Sequence, residues 1–84
     1  MKNYLSLTQA SNKINNLCKA VARITGLSRF DDINYVRDLL KVGHKVLWIS
    51  KLSGLPMTTT PKHLPNFFQV KITWHEDKYE LEIV

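Results

Sequence analysis

The stretch "FQVKITWHEDKYELEIV" (Phe68–Val84) decides the fold. Phe68, Val70, Ile72 and Trp74 alternate with Gln69, Lys71 and Thr73. Beyond His75–Lys78, Tyr79, Leu81 and Ile83 alternate with Glu80 and Glu82. A period of two marks a strand with one buried face. Closing the two runs on a four-residue turn pairs Trp74 with Tyr79, Ile72 with Leu81 and Val70 with Ile83. The other face then sets Lys71 against Glu82 and Thr73 against Glu80, where unlike charges favour the pairing. A slip of one residue would turn every apolar side chain to solvent, so pattern and register support each other.

Reading outward, "HKVLWISKL" (His44–Leu52) is rich in β-branched and aromatic residues and stops at Ser53-Gly54. Its continuous apolar middle predicts a central strand covered on both faces. Before Gly43 the period is helical. Leu7, Ala10, Ile14, Leu17, Val21 and Ile24 recur at steps of three and four, which predicts a helix over 7–25 with a narrow apolar seam. Ser6 and Gln9 fit a capping box, and Gly26 stands where a C′ residue needs positive φ. Ile33, Val36, Leu39 and Leu40 predict a second helix over 31–42, opened by Asp31-Asp32 and closed by Gly43. The expected architecture is α+β, α-α-β-loop-β-β. A helical hairpin packs on a three-stranded antiparallel sheet (about 45–52, 67–74 and 79–84) within a single domain, 1–84.

Between the first two strands lies "SGLPMTTTPKHLPN" (Ser53–Asn66), which holds all three prolines. Pro56, Pro61 and Pro65 restrict φ and press Leu55, Thr60 and Leu64 toward extended backbone, so a stiff crossover is expected. Loops of this length are uncommon in compact domains and often functional. Thr58, Thr59, Thr60, Lys62 and His63 offer groups for phosphate oxygens. Leu55, Met57 and Leu64 could cap the sheet or meet a protein partner.

With 84 residues, 44% of them apolar, the chain is expected to bury a thin core. Cys18 is the single cysteine, so no internal disulfide forms, which suits a reducing compartment. No secretory leader or bilayer-length apolar run is read, so the expectation is a cytoplasmic protein without a membrane partner. Enzyme chemistry finds little support. The three glycines each punctuate an element boundary, so no Gly-rich phosphate cradle is present. His44, His63 and His75 lack metal-ligand spacing. Asp31-Asp32 suits a helix start and Glu76-Asp77 a turn better than acid–base work. Cys18 lies at the edge of the seam as a small hydrophobe. A non-enzyme without cofactor or metal is expected.

Charge is more informative. The net charge is +5. Residues 1–30 carry Lys2, Lys13, Lys19, Arg23 and Arg29 and no acid, whereas the bases and acids of 31–84 balance. From Leu39 to His75 there is again no acid. Half a turn from the seam of the first helix runs a second stripe, Gln9, Asn12, Asn16, Lys19 and Arg23, along roughly 20 Å of helix. Amides can contact adenine edges, and Arg and Lys can meet guanine edges or phosphates. A merely solvated face would do better with Glu and Lys, and Asn15-Asn16 is a poor helix interior. Both points favour a functional stripe.

"YLSLTQASNKI" (4–14) resembles the opening of excisionase-type and MerR-type DNA-binding domains, where a Tyr-Leu-Ser/Thr start leads into a Gln/Glu-Ala helix. Those domains then break into a turn and a recognition helix, whereas here the seam runs on to Ile24. The resemblance transfers no residue roles.

The leading expectation is therefore a small non-catalytic protein that binds nucleic acid. Gln9, Asn12, Asn16, Lys19 and Arg23 would form its contact face, with Lys41, Lys45, Lys51, Lys62 and His63 as auxiliary contacts. The alternative is a protein-binding regulator or inhibitor, such as a mobile-element or phage accessory protein, that blocks a larger host complex, for example one that itself binds nucleic acid. Self-association into a homodimer through the narrow seam is a subsidiary expectation.

Overall fold

The computed structural model describes residues 4–26 and 33–84. In chain order these form α1 (Leu7–Thr25), α2 (Ile33–Val42), β1 (Val46–Ser50), β2 (Pro56–Met57), a 3-10 turn at Leu64–Asn66, β3 (Phe67–His75) and β4 (Lys78–Ile83). The strands make one antiparallel sheet in the order β2-β1-β3-β4.

The C-terminal hairpin has the register that alternation requires: Val70 faces Ile83, Ile72 faces Leu81 and Trp74 faces Tyr79, with Lys71 beside Glu82 and Thr73 beside Glu80. Its turn is tighter than expected. His75 pairs with Lys78, leaving only Glu76 and Asp77 to reverse the chain. Glu76 accordingly takes φ +60°, the left-handed conformation that two-residue hairpin turns demand. Trp74 and Tyr79 meet edge to face at 5.8 Å, a geometry that adds to their burial.

β1 is an interior strand between β2 and β3, as its apolar run implied, but shorter than 45–52. Leu47 and Ile49 face the helices and join Ala10, Ile14, Cys18, Val36, Leu40, Val70 and Ile72 in the core. Each such Leu or Ile contributes roughly 1.5–3 kcal/mol by leaving water. Trp48 points to the opposite face and is nonetheless buried, only 8% exposed.

The sheet has four strands where three were expected. The additional one lies inside the proline-rich connection. Lys51–Ser53 turn sharply, the Ser50 N–H donates to the Leu55 carbonyl (3.1 Å), and Pro56-Met57 then run back along Ile49 and Trp48. A proline is tolerated there because β2 is an edge strand, where a missing N–H need not cost a ladder bond. The Ser50 hydroxyl accepts from the N–H groups of Leu52 and Ser53, at 3.2 and 3.1 Å, and so holds the turn.

α1 is one uninterrupted helix whose buried side takes in the expected seam from Leu7 to Val21, extends beyond it to Ser11, Asn15, Cys18 and Ala22, and leaves out Ile24. Ala10, Ser11, Ile14, Asn15, Cys18, Val21 and Ala22 are buried, Leu7 and Leu17 are half-buried, and Ile24 is 85% exposed. Cys18, read as a seam-edge residue, sits in the centre of the core. Gly54 packs against this side. A β-carbon placed on it would lie 2.5 Å from the Cys18 carbonyl oxygen and 2.9 Å from the Ala22 nitrogen. The β1–β2 turn thus touches the helix backbone itself, on the side where α1 carries its smallest residues. Ser11 is accommodated in this face because its hydroxyl donates to the Leu7 carbonyl one turn back, at 2.8 Å.

α2 packs against α1 and buries Val36 and Leu40. It is described from Ile33 onward; its expected opening at Asp31-Asp32, and most of the link between the helices, lie outside the described residues. One further contact closes the fold. Leu5 exchanges two backbone hydrogen bonds with Tyr79, at 2.8 and 2.7 Å, and so ties the segment before α1 to the outer edge of β4.

Candidate nucleic-acid interface

The face in question exists because α1 is well started and cleanly stopped. The Ser6 hydroxyl accepts from the Gln9 N–H at 3.2 Å, and the Ser6 N–H donates to Gln9 Oε1 at 3.0 Å, a complete capping box. At the far end the Gly26 N–H donates to the Ala22 carbonyl at 2.8 Å with φ +65°. Between these caps the Asn15-Asn16 pair splits by function of position: Asn15 is buried with the core, and Asn16 stands in solvent. No break occurs there, so the turn and recognition helix of excisionase-type domains do not form.

Gln9, Asn12, Asn16, Lys19 and Arg23 are all exposed. Gln9 commits its amide oxygen to the cap. Asn12, Asn16, Lys19 and Arg23 form no hydrogen bond or ion pair among the described residues. Arg23 also occupies the last turn of α1, where a cation is favoured by the helix dipole. α1 contains no carboxylate, so nothing on the helix itself would repel a phosphate. The strip therefore presents amide donors, amide acceptors and fixed positive charge, all directed at solvent.

The remaining candidates lie on other elements. Lys41 is exposed in the last turn of α2, and Lys45 is exposed just before β1. Lys51 lies 5.0 Å above the Phe68 ring, so its ammonium has an aromatic contact within the fold. Lys62 and His63 are exposed and lead directly into Leu64–Asn66. Leu64 and Pro65 line a shallow groove with Trp48, Phe67, Gln69 and Val84, on the sheet face turned away from the helices. The proline-rich connection thus supplies an edge strand first and then a partial cover for Trp48.

Cover on both faces of β1 was expected, but the lining of this groove was not read from the sequence. Its one signal is that Trp48 alternates with Leu47 and Ile49, so a large aromatic must face away from the helices and find shelter elsewhere. A second cluster, at the hairpin end, places His75 Nε2 2.9 Å from Glu80 Oε1 and packs Tyr4 edge-on against the His75 ring at 4.6 Å. Burial pushes the Cys18 thiol up to about 12, which leaves it protonated and a poor nucleophile. Among the described residues no group of three or more His, Cys, Asp or Glu side chains could hold a metal ion. No helix among them is long and apolar enough to cross a membrane. No protein-family model, curated protein or solved structure matches this chain.

Proposed function

We propose that this chain is a small non-catalytic binding protein that engages nucleic acid through the outer face of α1. The observation that carries the reading is the strip Asn12, Asn16, Lys19 and Arg23, with Gln9 at its start. It is exposed along one rigid helix, free of carboxylates and without partners among the described residues. Asn12 and Asn16 cost helix propensity, and neither returns a hydrogen bond to the described fold. Lys41, Lys45, Lys51, Lys62 and His63 would act only as auxiliary phosphate contacts, reached by a nucleic acid that extends beyond α1. A gel-shift series with duplex and single-stranded DNA and RNA tests the reading. Binding at about 50 mM salt that weakens steeply by about 200 mM is expected, because phosphate neutralisation releases counterions. Charge reversal by Lys19→Glu with Arg23→Glu should abolish the shift. No shift with any probe at the lower salt overturns the proposal.

The alternative, a protein-binding regulator of a larger complex, draws on a different observation. Leu52, Leu55 and Leu64 are exposed at the end of the sheet where Lys51 lies. A pull-down from nuclease-treated lysate separates the two readings: a stoichiometric protein partner that survives digestion and is lost on Leu52→Asp favours the regulator. Any self-association would have to use another surface than the inner face of α1, which the chain's own core fills. Sedimentation at high concentration reads that directly.

A further inference from the structure

The outer face of α1 also carries information about which nucleic acid it fits. The strip bears no aromatic side chain, whereas proteins that hold single strands stack bases on aromatic rings. A-form duplexes offer a major groove too deep and narrow for side chains to read. The major groove of B-form DNA, about 12 Å wide and about 8.5 Å deep, admits a helix about 10–12 Å across. α1 is uninterrupted for 19 residues, roughly 28 Å at the α-helical rise, long enough to follow that groove over several base pairs.

The order of groups across the strip agrees with this. At about 100° per residue, Asn12, Asn16 and Arg23 fall within about 40° of one another. Lys13 and Lys19, both exposed, stand about 60° to either side of Asn16, one turn below it and one turn above. Asn12, Asn16 and Arg23 thus run along the centre, with Lys13 about 80° to one side of that line and Lys19 about 40° to the other. A groove has the matching order, with base edges on its floor and a phosphate strand along each wall. An Asn amide presents one donor and one acceptor side by side, the complement of the N7 and N6 groups of adenine.

Resting on the nucleic-acid reading above, we infer that the target is double-stranded B-form DNA. The outer face of α1 seats in the major groove, Asn12 and Asn16 meet adenine edges, and Lys13 and Lys19 meet phosphates of opposite strands.

The test begins with a random pool of labelled duplexes of about 20 base pairs, from which the tightest-binding sequence is selected. Fluorescence anisotropy then compares that duplex with the same sequence as duplex RNA and as each single strand. The DNA duplex is expected to bind at least ten-fold more tightly than the others. Replacing its adenines with 7-deazaadenine removes the N7 acceptor and should weaken binding on the order of ten-fold per lost contact. Asn12→Ala with Asn16→Ala should do the same, with circular dichroism confirming that the helix persists. Lys13→Ala and Lys19→Ala should each lower the salt slope by about one. Equal affinity for single strands or duplex RNA overturns the inference. So does indifference to both 7-deazaadenine and the asparagine substitutions. In either case nucleic-acid binding itself still stands, whereas silence from every probe at about 50 mM salt removes both.

Discussion

Along the inner face of α1 the side chains are small, with Ala10, Ser11, Cys18 and Ala22 among them, and the turn at Gly54 reaches the helix backbone. Along the outer face they are polar or charged, Gln9, Asn16, Lys19 and Arg23, and apart from the cap at Gln9 they form no hydrogen bond or ion pair with described residues. The two faces of one helix are therefore under different constraints. The inner one is held by close packing, where one added methyl is felt. The outer one contributes little to folding, so its residue types are available to serve something else.

The largest effect that would sharpen this contrast lies at Gly54. Gly54→Ala places a methyl against two backbone atoms of α1 at φ +75° and should cost about 3–5 kcal/mol, by combined strain and overpacking, or prevent folding. Gly26→Ala is the control: φ is +65°, yet nothing lies within 4 Å, so only the left-handed strain of about 1–2 kcal/mol applies. Urea unfolding of both variants measures the difference, and equal losses would deny the close approach.

Next comes a pair of isoleucines. Ile14→Ala empties a fully buried position and should cost about 2–5 kcal/mol. Ile24→Ala, at the exposed end of the expected seam, should change the denaturation midpoint little, by about 0.5 kcal/mol or less. A large loss at Ile24 would mean that the buried side of α1 runs on through the last turn, where the structure leaves it exposed.

A smaller effect concerns pH. The folded state holds the Cys18 thiol protonated up to about 12, against an ordinary value of 9.0. Above pH 9 the unfolded chain releases that proton and the folded chain does not. Stability therefore falls as pH rises from about 9 toward 12. Thermal melts across that range should show the decline, and Cys18→Ala should flatten it. The smallest effect belongs to the outer face: Asn12→Ala with Asn16→Ala should leave stability unchanged or raise it by a few tenths of a kcal/mol each, since Ala is the better helix former. A clear loss in the same melts would show that the strip is structural.

What could be read in advance depended on how local the cause was. The hairpin pairs were legible because alternation and register constrain each other within seventeen residues, down to Lys71 beside Glu82. The caps of α1 were legible because Ser6, Gln9 and Gly26 act within one turn of themselves. The exposure of Asn12, Asn16, Lys19 and Arg23 followed from helical spacing alone. The placement of Lys62 and His63 was not legible, because it depends on a connection that first pairs as β2 and then lines the groove at Trp48. Trp48 itself gave a weak signal, since burial on the far face depends on segments distant in sequence.

From its own residues the chain determined two helices, an interior β1, the antiparallel hairpin and a carboxylate-free helical strip. Each of these follows from periodicity and from caps that act over three or four residues. Only the tertiary structure decided how far the buried side of α1 extends past its seam and that Pro56-Met57 complete the sheet. Both involve contacts beyond the reach of periodicity, as does the close approach of Gly54 to the backbone of Cys18 and Ala22, more than thirty positions away, which depends on the absence of a side chain.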